Sequence, residues 1–386
     1  MLPQKTEWLS DPDAQRVCKA VSAGGARIYF VGGCVRDALL GLDGADVDLA
    51  TDAAPATVIE LAEAAGLKAV PTGIEHGTVT VVSGGKGYEV TTFRRDVETH
   101  GRHATVSFSK DIRDDALRRD FTMNALYASA DGHILDPLGS GTVDCLNRRI
   151  RFIEDASTRI REDYLRILRY FRFHAWYAAQ DAGFDADALS AIASNIGGLE
   201  TLSAERVGSE VMRLLSAPDP APAVASMRQT GVLSILLPGA DDQFLAPVVH
   251  LETSMGLLPD AVLRLAALGG QDVADRLRLS RKQRQYLDTL TDLTGSNLGL
   301  AEISYRSDSR VAMSISVVRA AMAGQPMPVD VAQQIELGSN AVFPVSPADL
   351  MPAFQGKSLG DALAALEARW IASSFQLSRE ELMTEL

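Results

Sequence analysis

The 386-residue chain contains few cysteines and no long apolar run. Its three cysteines, Cys18, Cys34 and Cys145, are widely separated, which fits neither a disulfide framework nor a paired-cysteine metal site. No apolar segment approaches the roughly 18 to 20 residues that a bilayer crossing needs. The N-terminus lacks the basic start and apolar stretch of a secretory signal. These absences predict a protein of the reducing cytoplasm.

Wholesale disorder is also excluded, because hydrophobic residues make up 46% and charged residues 23% of the chain. These proportions are those of ordinary globular proteins. A chain of this length is too long for one compact core and predicts several domains.

The net charge of −13 argues at first against a nucleic-acid partner. However, residues 91–175 hold 15 basic and 13 acidic side chains, and every basic residue there except Lys110 is arginine. Arginine suits phosphates and bases because its planar fork donates several hydrogen bonds. The segment therefore predicts an RNA or nucleotide contact, although a solvated helix surface would give the same charge.

The first 150 residues alternate strand-like and helix-like patterns. Strands are predicted at 27–31 and 46–51, and a hairpin joins 77–83 to 88–93 around a GGKG turn. Helices are predicted from the Gly32-Gly33 break to Gly41 and over 57–65. The pattern indicates an α/β or α+β domain with a small mixed sheet.

From about residue 153 the sequence is predominantly helical, and strand signals become sparse after residue 155. One helix is predicted to begin at Asp155 or Ser157 and to continue past Phe171, on the spacing of its apolar residues. Further helices are predicted over 186–196, 204–215, 221–230, 259–268, 278–293, 310–323 and 359–373. The remainder is therefore predicted to be all-α.

Asp46 and Asp48 form a DxD pattern inside a predicted strand. Residues i and i+2 of a strand share a face, so the two carboxylates would stand side by side. Such a pair is unfavourable unless a cation lies between the carboxylates, and oxygen ligands suit Mg²⁺. A solvated strand edge would show the same pattern. Glu89 supplies either a third carboxylate or an exposed polar position of the hairpin.

The Gly32-Gly33 turn opens a helix shortly before this pair. Backbone N–H groups at a helix start can hold a phosphate, and Arg36 would add positive charge. The turn therefore predicts a phosphate site beside the carboxylates.

Residues 118–126, RRDFTMNAL, place Arg118, Arg119 and Asp120 before an apolar run that reads as helical. Asp120 can accept a hydrogen bond from a ribose hydroxyl, and Asn124 can accept or donate. Asp120 could equally be a helix cap behind two surface arginines.

Residues 161–172 offer a third cluster. On one helix, Glu162, Asp163 and Arg166 would share a face, and Arg169 would continue it. A carboxylate and an arginine can together bind the edge of cytosine or adenine. A ladder of salt bridges within the helix is the alternative.

Seven motifs occur in an order that resembles the class II tRNA nucleotidyltransferase and bacterial poly(A) polymerase family, within the polymerase β-like superfamily. The resemblance covers residues 25–176 and weakens at 202–215 and 276–284. The motifs are GGCVRD, DVD, PTGIEHGTVTVV, YEVTTFRRD, RRDFTMNAL, DPLGSGTVDCLNRRIRF and REDYLRILRYFRF.

The resemblance implies roles for many of these side chains. The DxD aspartates would hold two catalytic Mg²⁺ ions, the RRD motif would bind the nucleotide sugar, and the EDxxR motif would serve as a template for the incoming base. Arg102 falls in a flexible loop linked to the switch from CTP to ATP, and Asp136 lies in a hinge motif. That hinge carries one extra residue here, so the resemblance does not assign a role to Asp144. The implied roles are catalytic for Asp46, Asp48 and Glu89, and nucleotide-binding for Gly32, Gly33, Arg36, Arg119, Asp120, Asn124, Glu162, Asp163, Arg166 and Arg169.

The implied fold is α+β, with a five-stranded polymerase β-like head and helical neck, body and tail. The predicted boundaries are 1–150, 151–215, 216–300 and 301–386, with RNA contacts in the neck and tail. The implied activity is addition of CCA, from CTP and ATP, to the 3′ end of tRNA. Poly(A) or A-only addition is the alternative within the family, and the short acidic tail favours CCA. A non-catalytic RNA-binding protein is the alternative from another class.

Overall fold

The computed structural model describes residues 1–3, 6–42, 44, 46–100, 103–179 and 182–384. The chain divides into two compact units, Met1–Leu236 and Leu237–Leu386. No helix in the described ranges is long and apolar enough to cross a membrane.

The first unit combines a sheet with helices. Its strands are β1 Ile28–Val31, β2 Asp48–Thr51, β3 Lys68–Gly73, β4 Thr78–Ser83, β5 Lys86–Thr92, β6 Arg94–His100, β7 His103–Phe108, β8 Tyr127–Ala128 and β9 Ile134–Leu135. Its helices are α1 Glu7–Ser10, α2 Pro12–Ser22, α3 Gly33–Leu40, α4 Pro55–Ala64, α5 Ile112–Leu117, α6 Gly141–Leu146, α7 Ala156–Glu162, α8 Leu165–Tyr177, α9 Ala186–Asn195, α10 Ala204–Leu215, α11 Ala221–Gln229 and α12 Val232–Leu236.

The main sheet is mixed, as predicted, with the strand order β3-β4-β5-β2-β1-β8-β9. Strands β2 and β5 pair in parallel, whereas the other neighbours are antiparallel. The implied count of five strands is wrong, because the two-residue strands β8 and β9 extend the sheet to seven. Strands β6 and β7 form a separate hairpin that the sequence patterns did not predict.

The sheet forms because apolar side chains alternate along its strands. In β4 every second residue is buried, and in β5 Tyr88 and Val90 face the interior. Phe93, Tyr127 and Ile153 pack together in a fully buried cluster beneath β1 and β2. This packing fixes the register of the strands that carry the carboxylates.

The predicted single helix after Asp155 is wrong, because the chain breaks at Asp163. Asp155 does cap the first part, since its carboxylate accepts from the Thr158 N–H. Asp163 is extended, with φ −152° and ψ 105°. Its carboxylate then accepts from the Leu165 N–H at the start of α8. A short polar side chain that bonds to the following backbone favours such an interruption over a continuous helix.

The apolar run after Asp120 is also not a full helix. Only Thr122–Asn124 forms a single 3₁₀ turn, and the chain then enters β8. Asp120 does not cap a helix, because its carboxylate accepts from the Phe121 N–H and from the Asn124 side chain. Burial of Phe121, Met123 and Tyr127 in the core overrides the local helical pattern.

The second unit is helical throughout its described residues, in line with the predicted all-α remainder. Its core includes a fully buried ion pair between Arg264 and Glu252, 2.8 Å apart, and an aromatic cluster around Trp370. Its helices are α13 Leu245–Ser254, α14 Ala261–Leu268, α15 Val273–Arg276, α16 Arg281–Thr294, α17 Leu300–Arg306, α18 Ser309–Ala323, α19 Val331–Ser339, α20 Pro347–Leu350, α21 Gly356–Ala372 and α22 Arg379–Met383.

Candidate active site

Three carboxylates line one side of a cleft of about 1080 Å³. Asp48 is the first residue of β2 and pairs directly with Glu89 of the parallel strand β5. Directly paired residues of neighbouring strands point to the same face, so these two side chains stand together. Asp46 lies just before β2 rather than inside it, and it lines the same cleft. The predicted DxD pair is thus joined by Glu89.

Negative charge accumulates at Asp48. Partial burial in the cleft raises the pKa of Asp48 to about 6, the charges of Glu89 and Asp46 add to this shift, and Arg119 opposes it. Asp48 nevertheless keeps an exposed surface, so water screens part of this repulsion. Lys86 is the one lysine among the described residues that line the cleft, and it pairs with Asp11 at 3.0 Å.

The donor set suits a divalent cation. Carboxylate oxygens are the ligands that Mg²⁺ prefers, and the excess negative charge at Asp48 would be relieved by a cation. Across the described ranges, no three His, Cys, Asp or Glu side chains are already arranged around one metal position. Asp46 and Asp48 could hold such an ion, and among the described residues no third ligand is arranged with them around one position.

Arg119 links the carboxylates to the Gly32 turn. Gly32 has φ +74°, and a Cβ placed on it would lie 3.2 Å from Arg119 Nη1. Gly32 directly precedes α3, whose first N–H groups are free of intrahelical partners. Because any larger residue at 32 would be strained and would press on Arg119, glycine keeps this guanidinium beside the helix start.

Asp115 and Tyr127 position the guanidinium of Arg119 by hydrogen bonds. Arg119 Nη2 donates to Asp115 at 3.0 Å and its Nε donates to the Tyr127 hydroxyl at 3.3 Å. The Tyr127 hydroxyl in turn donates to Asp115 at 2.6 Å. Burial alone would raise the pKa of Asp115, but Arg119 and Arg118 hold it well below its usual range. Sequence reasoning missed this support, although the spacing of Asp115 from Arg118 and Arg119 was an available signal.

We expect Tyr127→Phe to weaken nucleotide binding without disturbing the carboxylates. The substitution removes the hydrogen bond from Arg119 and the one to Asp115, so the free energy of unfolding should fall by about 2 kcal/mol. The KM for nucleotide should rise about fivefold, because the bond that orients Arg119 accounts for about 1 kcal/mol of this loss. Steady-state kinetics and denaturant titration measure the two effects.

Tyr305→Phe is the matched control, because the Tyr305 hydroxyl also donates to a carboxylate, that of Glu367, at 2.8 Å. It should lower stability and leave the KM unchanged. A Tyr127→Phe variant with a normal nucleotide KM would contradict the positioning of Arg119 by Tyr127.

Arg36 is buried, and its guanidinium donates three hydrogen bonds to neighbouring side chains. Its guanidinium donates to Asp37 at 2.7 Å, to Asn124 at 2.6 Å and to the Tyr177 hydroxyl at 2.8 Å. It also lies 4.0 Å from the centre of the Tyr177 ring. In this arrangement Arg36 fixes α3 against α8, and these three bonds use three of its five N–H donors.

Asp120 joins the head to the helices that follow it. It is 6% exposed and accepts from Asn124 at 3.0 Å and from Arg169 at 2.7 Å. On the other side, Glu210 of α10 pairs with Arg172 at 2.6 Å and lies 3.9 Å from Arg169. Glu210 was missed by the sequence reasoning because its partners lie on another helix.

The third predicted cluster is only partly assembled. Glu162 pairs with Arg166 at 2.5 Å, as helical spacing predicts. Asp163 turns away and pairs with Arg206 of α10 at 2.6 Å, so the predicted common face of Glu162, Asp163 and Arg166 does not form. The fork of Arg166 also donates to the carbonyls of Arg159 and Arg118.

The hinge motif packs against the RRD segment. Asp136 accepts from the N–H groups of Gly139 and Thr142, which shapes the turn before α6. Asp144 accepts from the Thr122 hydroxyl at 2.8 Å. Arg102 lies outside the described residues.

Comparison with known families agrees with this architecture. Residues 28–151 match the poly(A) polymerase head domain, and residues 183–244 match a probable RNA- and SrmB-binding site of polymerase A. The head with its carboxylate cleft and the helical RNA-binding segment define a polymerase β-like nucleotidyltransferase. The chain belongs to the class II CCA-adding enzyme and bacterial poly(A) polymerase family.

Relatives match over most of the chain. It is 32% identical to CCA tRNA nucleotidyltransferase 1, mitochondrial, of Danio rerio, over 93% of this chain and 86% of that protein. It is 34% identical to the CCA-adding enzyme of Geobacillus stearothermophilus, over 81% and 79% of the respective chains. The crystal structure of the Bacillus stearothermophilus CCA-adding enzyme in complex with CTP matches with a TM-score of 0.76 and 29% identity, over 94% and 92% of the chains.

Proposed function

We propose that this protein adds the nucleotides CCA, from CTP and ATP, to the 3′ end of tRNA without a nucleic-acid template and with release of pyrophosphate. The proposal rests on the position of three carboxylates. Asp46, Asp48 and Glu89 line one cleft near Arg119, in a head domain of this family. Relatives that match almost the whole chain are named for CCA addition. The zebrafish relative is named mitochondrial, and a cytoplasmic location for this chain stays a prediction.

In the proposed reaction, the RNA 3′ oxygen forms a bond to the α-phosphorus of the nucleotide. The bond from that phosphorus to the pyrophosphate oxygen breaks, and the hydroxyl proton passes to solvent. Mg²⁺ ions held by Asp46 and Asp48 would stabilise negative charge on the reacting phosphate and the leaving group. Arg119 and the N–H groups that begin α3 are proposed to bind phosphate or sugar oxygens, which their proximity at Gly32 supports. Asp120 and Asn124 are proposed to act on the sugar, and Asp163 and Arg166 on the base.

The domain division is part of the same proposal. We propose four domains, a head, neck, body and tail, with boundaries at 150, 215 and 300. This division is finer than the two compact units, Met1–Leu236 and Leu237–Leu386. The proposed neck belongs to the first unit, where Arg169 and Arg166 bond to the head. This proximity supports a role for the neck in nucleotide recognition.

The test is to sequence the 3′ ends of a tRNA transcript that lacks CCA after incubation with CTP and ATP. Addition of CCA and no more is the expected product. A run of adenosines would favour a poly(A) polymerase. Addition of one A to a transcript ending in CC, with no addition to the transcript that lacks CCA, would favour an A-adding enzyme. Absence of pyrophosphate release would favour a non-catalytic RNA-binding protein.

We expect Asp163→Asn to relax the choice of base. The exocyclic amino group shared by cytosine and adenine needs an acceptor, and each base contact contributes roughly 1 to 3 kcal/mol of discrimination. Misincorporation of UTP and GTP should therefore rise by about five- to 150-fold. Asparagine preserves an oxygen for the Leu165 N–H, so the start of α8 should persist.

Asp155→Asn is the control, because Asp155 caps the neighbouring helix α7. Competition assays with four nucleotides, run beside thermal melts, compare the variants. A lowered melting temperature with unchanged base selection would assign Asp163 to a structural pair with Arg206.

A further inference from the structure

A second polar cavity lies in the first unit, away from the three carboxylates. It has a volume of about 520 Å³. None of the residues that line it also lines the carboxylate cleft. Its walls include Arg148, Arg149, Arg151, Tyr170, His174 and Phe184. Three arginines from one short segment therefore border a space that the proposed reaction does not use.

The arginine segment is held in place by its own backbone. The Arg148 N–H donates to the Cys145 carbonyl at 2.9 Å, and the Arg149 N–H donates to the Asp144 carbonyl at 2.8 Å. Arg148 adopts φ +51°, a left-handed conformation that is uncommon outside glycine. Ile150, between the arginines, is buried and anchors the segment. The arginine side chains are thus presented by a fixed turn.

Arg148 and Arg149 lack an ion-pair partner among the carboxylates that the structure describes. Arg151 lies 3.8 Å from Asp144, whose other oxygen accepts from Thr122. The carboxylate of Asp185, at the cavity wall, already accepts from the N–H groups of α9. Among the described lining residues, three arginines stand against one aspartate, so positive charge exceeds negative charge there although the whole chain has a net charge of −13.

Another part of the cavity wall is aromatic. The rings of His174 and Phe184 stack with centroids 3.6 Å apart and planes 11° from parallel. Burial lowers the pKa of His174 to about 4, so the imidazole is neutral at pH 7. The positive charge of this cavity therefore comes from the arginines, and it would attract an anion.

We propose that Arg148 and Arg149 bind a backbone phosphate of the RNA substrate outside the active site. Arginines beside an aromatic wall are the combination with which proteins hold single-stranded nucleic acid. The inference rests on the proposed function for the identity of the RNA. A phosphate of free nucleotide has the same chemistry, and the experiment below separates the two sources.

The experiment compares tRNA binding by Arg148→Gln/Arg149→Gln with binding by the wild type between about 50 and 200 mM salt. Without nucleotide, the slope of log K against log salt should become shallower by about 1 to 2, since each lost phosphate contact changes it by about one. The KM for tRNA should rise about tenfold, whereas the KM for CTP and the rate at saturating tRNA should stay unchanged. Arg148→Lys/Arg149→Lys should restore the salt slope.

Lys19→Gln/Lys68→Gln is the matched control, because both lysines are exposed in the same unit and lie outside the cavity. It should leave the slope unchanged, and thermal melts should show all variants folded. An unchanged slope in the arginine variant overturns the proposal, and so does a raised KM for CTP with normal tRNA binding. Failure of the proposed function is distinguishable, because the wild type itself would then add no nucleotide to tRNA.

Discussion

Asp48→Asn should lower the rate of nucleotide addition by on the order of a thousandfold or more, because stabilisation of the reacting phosphate by a bound metal ion contributes several kcal/mol. The same change should not unfold the protein. Asp48 stands opposite Glu89 and near Asp46, so the substitution removes repulsion between like charges. Single-turnover incorporation of CTP and thermal melts measure the two outcomes.

A pH series with a chelator tests the cause of the stability effect. Because the pKa of Asp48 is raised in the folded protein, its ionisation opposes folding as pH rises from about 4 to 6. Over this window the wild type should lose stability relative to Asp48→Asn. Glu63→Gln, which removes an exposed carboxylate of α4, should show neither effect. Normal incorporation by Asp48→Asn would refute its assignment to the metal.

Asp120→Ala should lower the free energy of unfolding by about 3 kcal/mol, because it removes the closer carboxylate partner of the partly buried Arg169 and the acceptor of Asn124. Denaturant titration measures the loss at pH 7. Nucleotide addition should fall as well, since Asp120, Asn124 and Arg36 form one chain of contacts.

The contribution of Asp120 to the free energy of unfolding should decrease as the pH falls. Burial alone would raise the pKa of Asp120, but Arg169 and the hydrogen bonds from Asn124 and Phe121 lower it to about 2. The contribution is therefore complete above about pH 4 and disappears as pH falls toward 2. A difference between wild type and Asp120→Ala that stays constant across this range would contradict a charged role for Asp120.

Local patterns were sufficient to predict most of the described helices of eight residues or more, but fewer than half of the strands. Helix α10 has the predicted bounds 204–215, and β1, β2 and the hairpin of β4 and β5 begin and end within two residues of the prediction. In these elements the apolar residues follow a single helical or strand spacing. Residues that end a helix or strand lie at their ends, such as Gly41 after α3. The ordered motifs were sufficient to identify the family, which the comparisons confirm.

The errors arise where tertiary contacts override local preference. Residues 156–177 have helical spacing throughout, yet Asp163 leaves the helix because Arg206, far along the chain, pairs with its carboxylate. Arg36 bonds to Asn124 and Tyr177, and the sequence patterns predicted neither contact. A single sequence does not identify such partners, because they are distant in the chain and belong to no common motif.

The parallel pairing of β2 with β5 determines when the carboxylate site can come into existence. During synthesis, β1 and β2 can pair as soon as they emerge, because they are neighbours in the chain. Glu89 reaches Asp48 only after β3, β4 and most of β5 have been made, so the nascent protein passes through a stage with Asp48 on an open sheet edge. Closing this longer loop costs more chain entropy than forming the hairpin of β4 and β5. The site therefore matures late in folding, and a ribosome-bound chain that ends before β5 has an unpaired edge that chaperones would need to shield.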